Sequence, residues 1–124
     1  MKIREFRPED LEKIERLHTN PAYQMPQIDH PLVLIRKCVV DENDEPRMAA
    51  FGRLLIEAIL FVDHSWKTPQ ERFEALLELQ GATMEEARTR GLDIAMTQAD
   101  GRFAERLAQL GWVKGYGDIY YREI

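Results

Sequence analysis

Few residues of this 124-residue chain have the type and setting to do chemistry. Glu57 interrupts the apolar run Leu54 to Val62, where it reads equally as a catalytic carboxylate or as the solvent side of a turn. His64, just past that run, is of the residue type that suits general acid or base work. It also has the plainer reading of a solvated residue at a strand end. Asp63 stands beside it. Trp66 is unexpected in a surface turn and either covers a ligand groove or plugs a gap. The three histidines (His18, His30, His64) lie far apart without metal-ligand spacing, and one cysteine cannot build a structural zinc site. Cys38 sits inside an apolar run and reads as a buried core thiol rather than a nucleophile.

The elements that must carry these residues follow from periodicity and punctuation. Met1 to Arg7 suits a short strand. Pro8, with Glu9 and Asp10 behind it, opens a helix that runs to about His18 through Leu11, Ile14 and Leu17. Asn20-Pro21 ends it, and Thr19 to Pro31 is a loop with three prolines. Leu32 to Val40 reads as a buried strand, Asp41 to Pro46 as a charged turn, and Arg47 to Leu54 as the returning strand of a hairpin. Glu57 to Asp63 is a further strand. Thr68 is placed as an N-cap, with Pro69 at the first helical position and Glu71 at the capping-box position. The long helix that follows buries Phe73, Leu76, Leu77, Met84 and Ala87, is interrupted at Gly81, and stops at Gly91. Leu92 to Thr97 is a strand, Arg102 to Leu110 a helix stopped by Gly111, and Trp112 to Ile124 one or two closing strands. Tyr116, Tyr120 and Tyr121 fall there as packing residues. The expected core is Phe6, Leu11, Ile14, Leu34, Phe51, Leu60, Val62, Phe73, Leu77, Ile94, Phe103, Leu107 and Trp112.

Length fits one domain over residues 1–124. With 44% hydrophobic and 31% charged residues the composition is that of a folded protein. A net charge of −5 and no basic run beyond Arg36-Lys37 give no electrostatic reason to expect nucleic acid or an anionic membrane as partner. The opening residues do not look like a signal peptide, and no apolar stretch approaches the roughly 20 residues of a membrane span. A cytoplasmic protein is expected.

The order β-α-(loop)-β-β-β-α-β-α-β(-β) implies an α/β (α+β) fold: a mixed, mostly antiparallel central sheet with helices on both faces. This order, with "KIREFRPEDLEKIERL", "VVDENDEPRMAAFG" and "LDIAMTQADGRFAERLAQLGW" standing for the first strand and helix, the acidic hairpin and the Gly-aromatic step at Gly111-Trp112, resembles the GNAT superfamily of acyl-CoA N-acyltransferases. The resemblance covers nearly the whole chain. It implies acetyl-CoA as cofactor, an amine acceptor (small molecule or protein), and Glu57 or His64 as catalytic base near the end of the fourth strand. The cofactor would meet Val62, Lys67, Thr68, Gln70 and Arg72. A homodimer stays open.

The family's diagnostic loop, Gln/Arg-x-x-Gly-x-Gly/Ala, lets backbone N–H groups at a helix start approach a pyrophosphate. Here it reads Lys67-Thr68-Pro69-Gln70-Glu71-Arg72, with Gln70 and Arg72 at the glycine positions. Pro69 removes a donor and Glu71 repels phosphate, while Lys67 and Arg72 could serve as side-chain phosphate ligands. The Tyr that many members place four residues before the Gly-aromatic step is Leu107 here, and Asp100 stands where an Asn often begins the helix. Two functions follow: an N-acetyltransferase with a divergent cofactor loop, or an inactive binding or structural module without acetyl-CoA. Small degenerate members of this kind resemble proteins of bacteria and tailed phages.

Overall fold

A computed structural model describes residues 1–18, 25–115 and 117–124. The expected helix stop at Asn20-Pro21, the first part of the proline loop and Tyr116 lie outside the described residues. The chain divides into two compact units, Met1–Gly52 together with Ala99–Ile124, and Arg53–Gln98.

The first unit is built on a three-stranded antiparallel sheet of β1 (Lys2–Glu5), β2 (Val33–Val40) and β3 (Pro46–Arg53), in the order β1-β2-β3. β1 lies antiparallel to β2 with Arg4 opposite Cys38. Strand side chains alternate between faces, so Arg4 and Phe6 point inward together and Ile3 points out, 66% exposed. A turn of 3-10 helix over Pro8–Asp10 then feeds α1 (Leu11–Leu17). Phe6, Ile14, Cys38 and Val40 form the buried core, with Leu11, Met25, Ile28, Ala49 and Phe51 packed against it. Phe6 and Phe51 meet edge to face, ring centroids 5.0 Å apart at 74°, the arrangement their quadrupoles favour.

The Asp41 side chain helps to hold the hairpin turn. Asp41 Oδ1 accepts from the backbone N–H of Asn43 at 2.9 Å and of Glu45 at 3.0 Å, and Asp41 Oδ2 accepts from Arg47 Nε at 2.9 Å. The same unit contains α3 (Gly101–Gln109), which with its C-cap residue Leu110 sets Phe103, Leu107 and Leu110 at helical spacing, each half-buried. Its end is a two-bond cap. Gly111, at φ +91, lets its own N–H reach Ala108 O at 3.3 Å, while Trp112 N–H reaches Leu107 O at 3.0 Å.

In the second unit β4 (Ile56–Glu57) pairs in parallel with β5 (Ala95–Met96), and α2 (Pro69–Thr89) is the connection between them. A parallel pair requires such a crossover, and α2 supplies it. Gly91, at φ +81, closes α2 with the same cap as α3, Leu92 N–H to Ala87 O at 3.0 Å and Gly91 N–H to Arg88 O at 2.9 Å. Arg53 and Asp93 form an ion pair beside the sheet.

Several expectations are corrected. Among the described residues there are two ladders rather than one continuous sheet. The strands expected over Glu57–Asp63 and Leu92–Thr97 contract to two residues each. Trp112 to Ile124 joins no ladder among the described residues, and Tyr120 and Tyr121 are exposed rather than packed as expected. α2 runs through Gly81 without a break. Leu34, Val62, Leu77 and Ile94 are exposed rather than core. Leu34 shares a face with Cys38 but lies beyond the end of β1, which reaches only to Lys37. The other three belong to a unit with one helix and a four-residue sheet, too little surface to cover every apolar side chain.

Candidate functional site

The second unit holds every residue assigned to chemistry from the sequence, and most of them gather at the start of α2. Residues Asp63 to Trp66 form a turn, with Trp66 N–H donating to Asp63 O at 3.2 Å. Asp63 Oδ1 accepts from Ser65 N–H at 2.9 Å and from Ser65 Oγ at 2.6 Å. Those two bonds hold the Asp63 carboxyl below the usual aspartate range. Asp63 is therefore ionised and locked into its turn at neutral pH, a poor setting for a proton acceptor tuned to neutrality. His64 sits exposed in the same turn. Glu57 is on β4, opposite Met96, so the two candidate bases stand on different elements.

Lys67 adopts φ +52, the left-handed region uncommon for a residue with a Cβ, and turns the chain into α2. Its Nζ lies 5.0 Å from the centroid of the Trp66 ring and 3.8 Å from Glu71 Oε2. Thr68 Oγ1 accepts from Glu71 N–H at 3.2 Å, the N-cap bond expected from its residue type. Glu71 does not complete the reciprocal pattern of a capping box in this arrangement; its carboxylate faces Lys67 instead. Gln70 Nε2 donates to Glu74 Oε1 at 3.2 Å, one turn along.

Arg72 decides how this loop is held. Its Nη1 donates to Trp66 O at 2.9 Å and to Lys67 O at 2.8 Å, so the guanidinium folds back and ties the turn to the helix. The helix start offers little to an anion. Pro69 has no N–H, Glu71 N–H is taken by Thr68, and Arg72 N–H is bonded to Thr68 O at 3.0 Å. At most one N–H of the first three helical positions, that of Gln70, is left for a phosphate oxygen, where a pyrophosphate cradle uses several.

No protein-family model, curated protein or solved structure matches the chain.

The most strongly coupled polar groups lie elsewhere, in the first unit. Arg4 and Asp10 face each other with two parallel bonds, Nη1 to Oδ2 at 2.7 Å and Nη2 to Oδ1 at 2.9 Å, with both side chains under 10% exposed. Arg4 also donates from Nη1 to Glu5 O at 2.9 Å and to Cys38 Sγ at 3.3 Å, and from Nε to Asp44 Oδ1 at 2.9 Å. Asp10 Oδ2 further accepts from Arg7 N–H at 2.8 Å. Arg4 is the first cause holding the Asp10 carboxyl below its ordinary value, and burial pushes the Cys38 thiol up. Every buried side-chain nitrogen and oxygen among the described residues has a partner. The cluster is closed and structural: the aspartate is ionised, the cation saturated, and the thiol kept protonated.

Sequence reasoning placed Asp10 at a helix start and Cys38 in the core but did not single out Arg4. The available signal was parity: Arg4 and Phe6 share a strand face, so an inward Phe6 brings a charge inward that needs a carboxylate. Among the described residues, no set of three or more His, Cys, Asp and Glu side chains is arranged to hold a metal ion. Nor is any described helix long and apolar enough to cross a membrane.

Proposed function

We propose that this chain is a GNAT-like domain that does not use acetyl-CoA and acts as a binding or structural module. The observation that carries the reading is the start of α2. Thr68 occupies the Glu71 N–H, Pro69 supplies none, and Arg72 is folded onto the carbonyls of Trp66 and Lys67. The groups that would have to receive a pyrophosphate are thus engaged in holding their own turn. The GNAT-like part of the reading is supported by an antiparallel β1-β2-β3 sheet with an acidic turn, followed by a parallel β4–α2–β5 crossover.

Calorimetric titration of the pure protein with acetyl-CoA tests it. The expected dissociation constant is above roughly 1 mM, less than about 4 kcal/mol of binding free energy. Micromolar binding that is lost in Arg72→Ala would overturn the proposal. Arg72 would then have left its carbonyls for phosphate, and an acyltransferase with Glu57 or His64 as base and an amine acceptor would become the better reading.

A further inference from the structure

We draw no further inference here: the strongest candidate, the exposed apolar stretch that follows β4 and includes Ile59, Phe61, Val62 and Trp66, carries nothing, because nothing in the structure shows what covers it.

Discussion

Arg4 reaches across from β1 to grip both carboxylate oxygens of Asp10, at 2.7 and 2.9 Å, six residues further along the chain. The contact joins the strand to the helical turn that follows and sits directly over the Cys38 thiol. A two-point guanidinium–carboxylate pair fixes orientation as well as distance. It therefore sets the angle at which the chain leaves the sheet for α1.

Breaking this pair from one side should be costly, since it strands a buried cation. Asp10→Leu is expected to destabilise the protein by about 1–3 kcal/mol, the range for removing one partner of a hydrogen-bonded polar pair, with Asp44 still holding Arg4. Urea denaturation followed by circular dichroism checks this. A loss within about 0.5 kcal/mol of zero would mean that the pair contributes no more than a surface ion pair.

The same carboxylate gives stability an acid limb. Asp10 is held below its ordinary value in the folded protein, so its contribution is complete above the unfolded aspartate value of about 3.9 and is lost as pH falls through the lower folded value. Asp44, held down first by Arg4, and Asp41, held down first by the Glu45 N–H, act in the same sense. Denaturation midpoints measured from pH 6 downward should fall most steeply below about pH 4. Asp10→Asn should flatten that limb, and an Asp10→Asn curve parallel to wild type would remove Asp10 from the explanation.

Two glycines, Gly81 within α2 and Gly91 just past its end, should respond with opposite signs to the same substitution. Gly81 lies mid-helix, and a Cβ there meets nothing within 4 Å. Gly81→Ala is expected to stabilise by about 0.5–1 kcal/mol, the helix-propensity difference. Gly91 also has open space around it but sits at φ +81, so Gly91→Ala should destabilise by about 1–2 kcal/mol through backbone strain alone. Thermal unfolding of both variants separates conformation from crowding, and equal shifts of one sign would contradict the assignment of Gly91 to the helix cap.

At the other end of α2, Thr68→Ala removes the acceptor for Glu71 N–H and is expected to cost about 1 kcal/mol. Thr68→Ser keeps the oxygen and should restore most of it. If Ala and Ser were indistinguishable in denaturant, the cap bond would have no energetic weight, and the N–H of Glu71 would count as available to an anion.

Core positions divide in the same way. Phe6→Ala, which empties a buried site against Phe51, should cost about 3–5 kcal/mol. Leu77 was expected in the core from its helical spacing but is 41% exposed, and Leu77→Ala should cost well under the roughly 2 kcal/mol floor for buried leucines. Chemical denaturation of the two variants checks the contrast; equal losses would return Leu77 to the core.

Element starts and stops were legible because they depend on local chemistry. Thr68-Pro69 opens α2 and Gly91 closes it at the positions their residue types require, and Gly111 does the same for α3. What sequence could not reach were the features decided by neighbours. Strand length beyond Glu57 depends on what lies alongside it, and an apolar run has no way to state that. The two adjacent leucines Leu76 and Leu77 both suit a buried stripe, and only packing chooses Leu76. The candidate site divided similarly. Gln70 and Arg72 in place of glycine could be read as steric filling, but the fold-back of Arg72 onto two carbonyls is a conformational choice that residue identity leaves open.

Cys38 is the only thiol in the chain and is 2% exposed beneath Arg4. A thiol reagent can reach it only when the surrounding structure opens, so its modification rate clocks that opening. If the opening lies about 4 kcal/mol uphill and closing outpaces modification, the thiol reacts roughly a thousandfold more slowly than in the unfolded chain. Nothing need be engineered to make the measurement. Cys38 lies in the first unit, and the readout registers a loosening of the Arg4–Asp10 contact even where the fold as a whole persists.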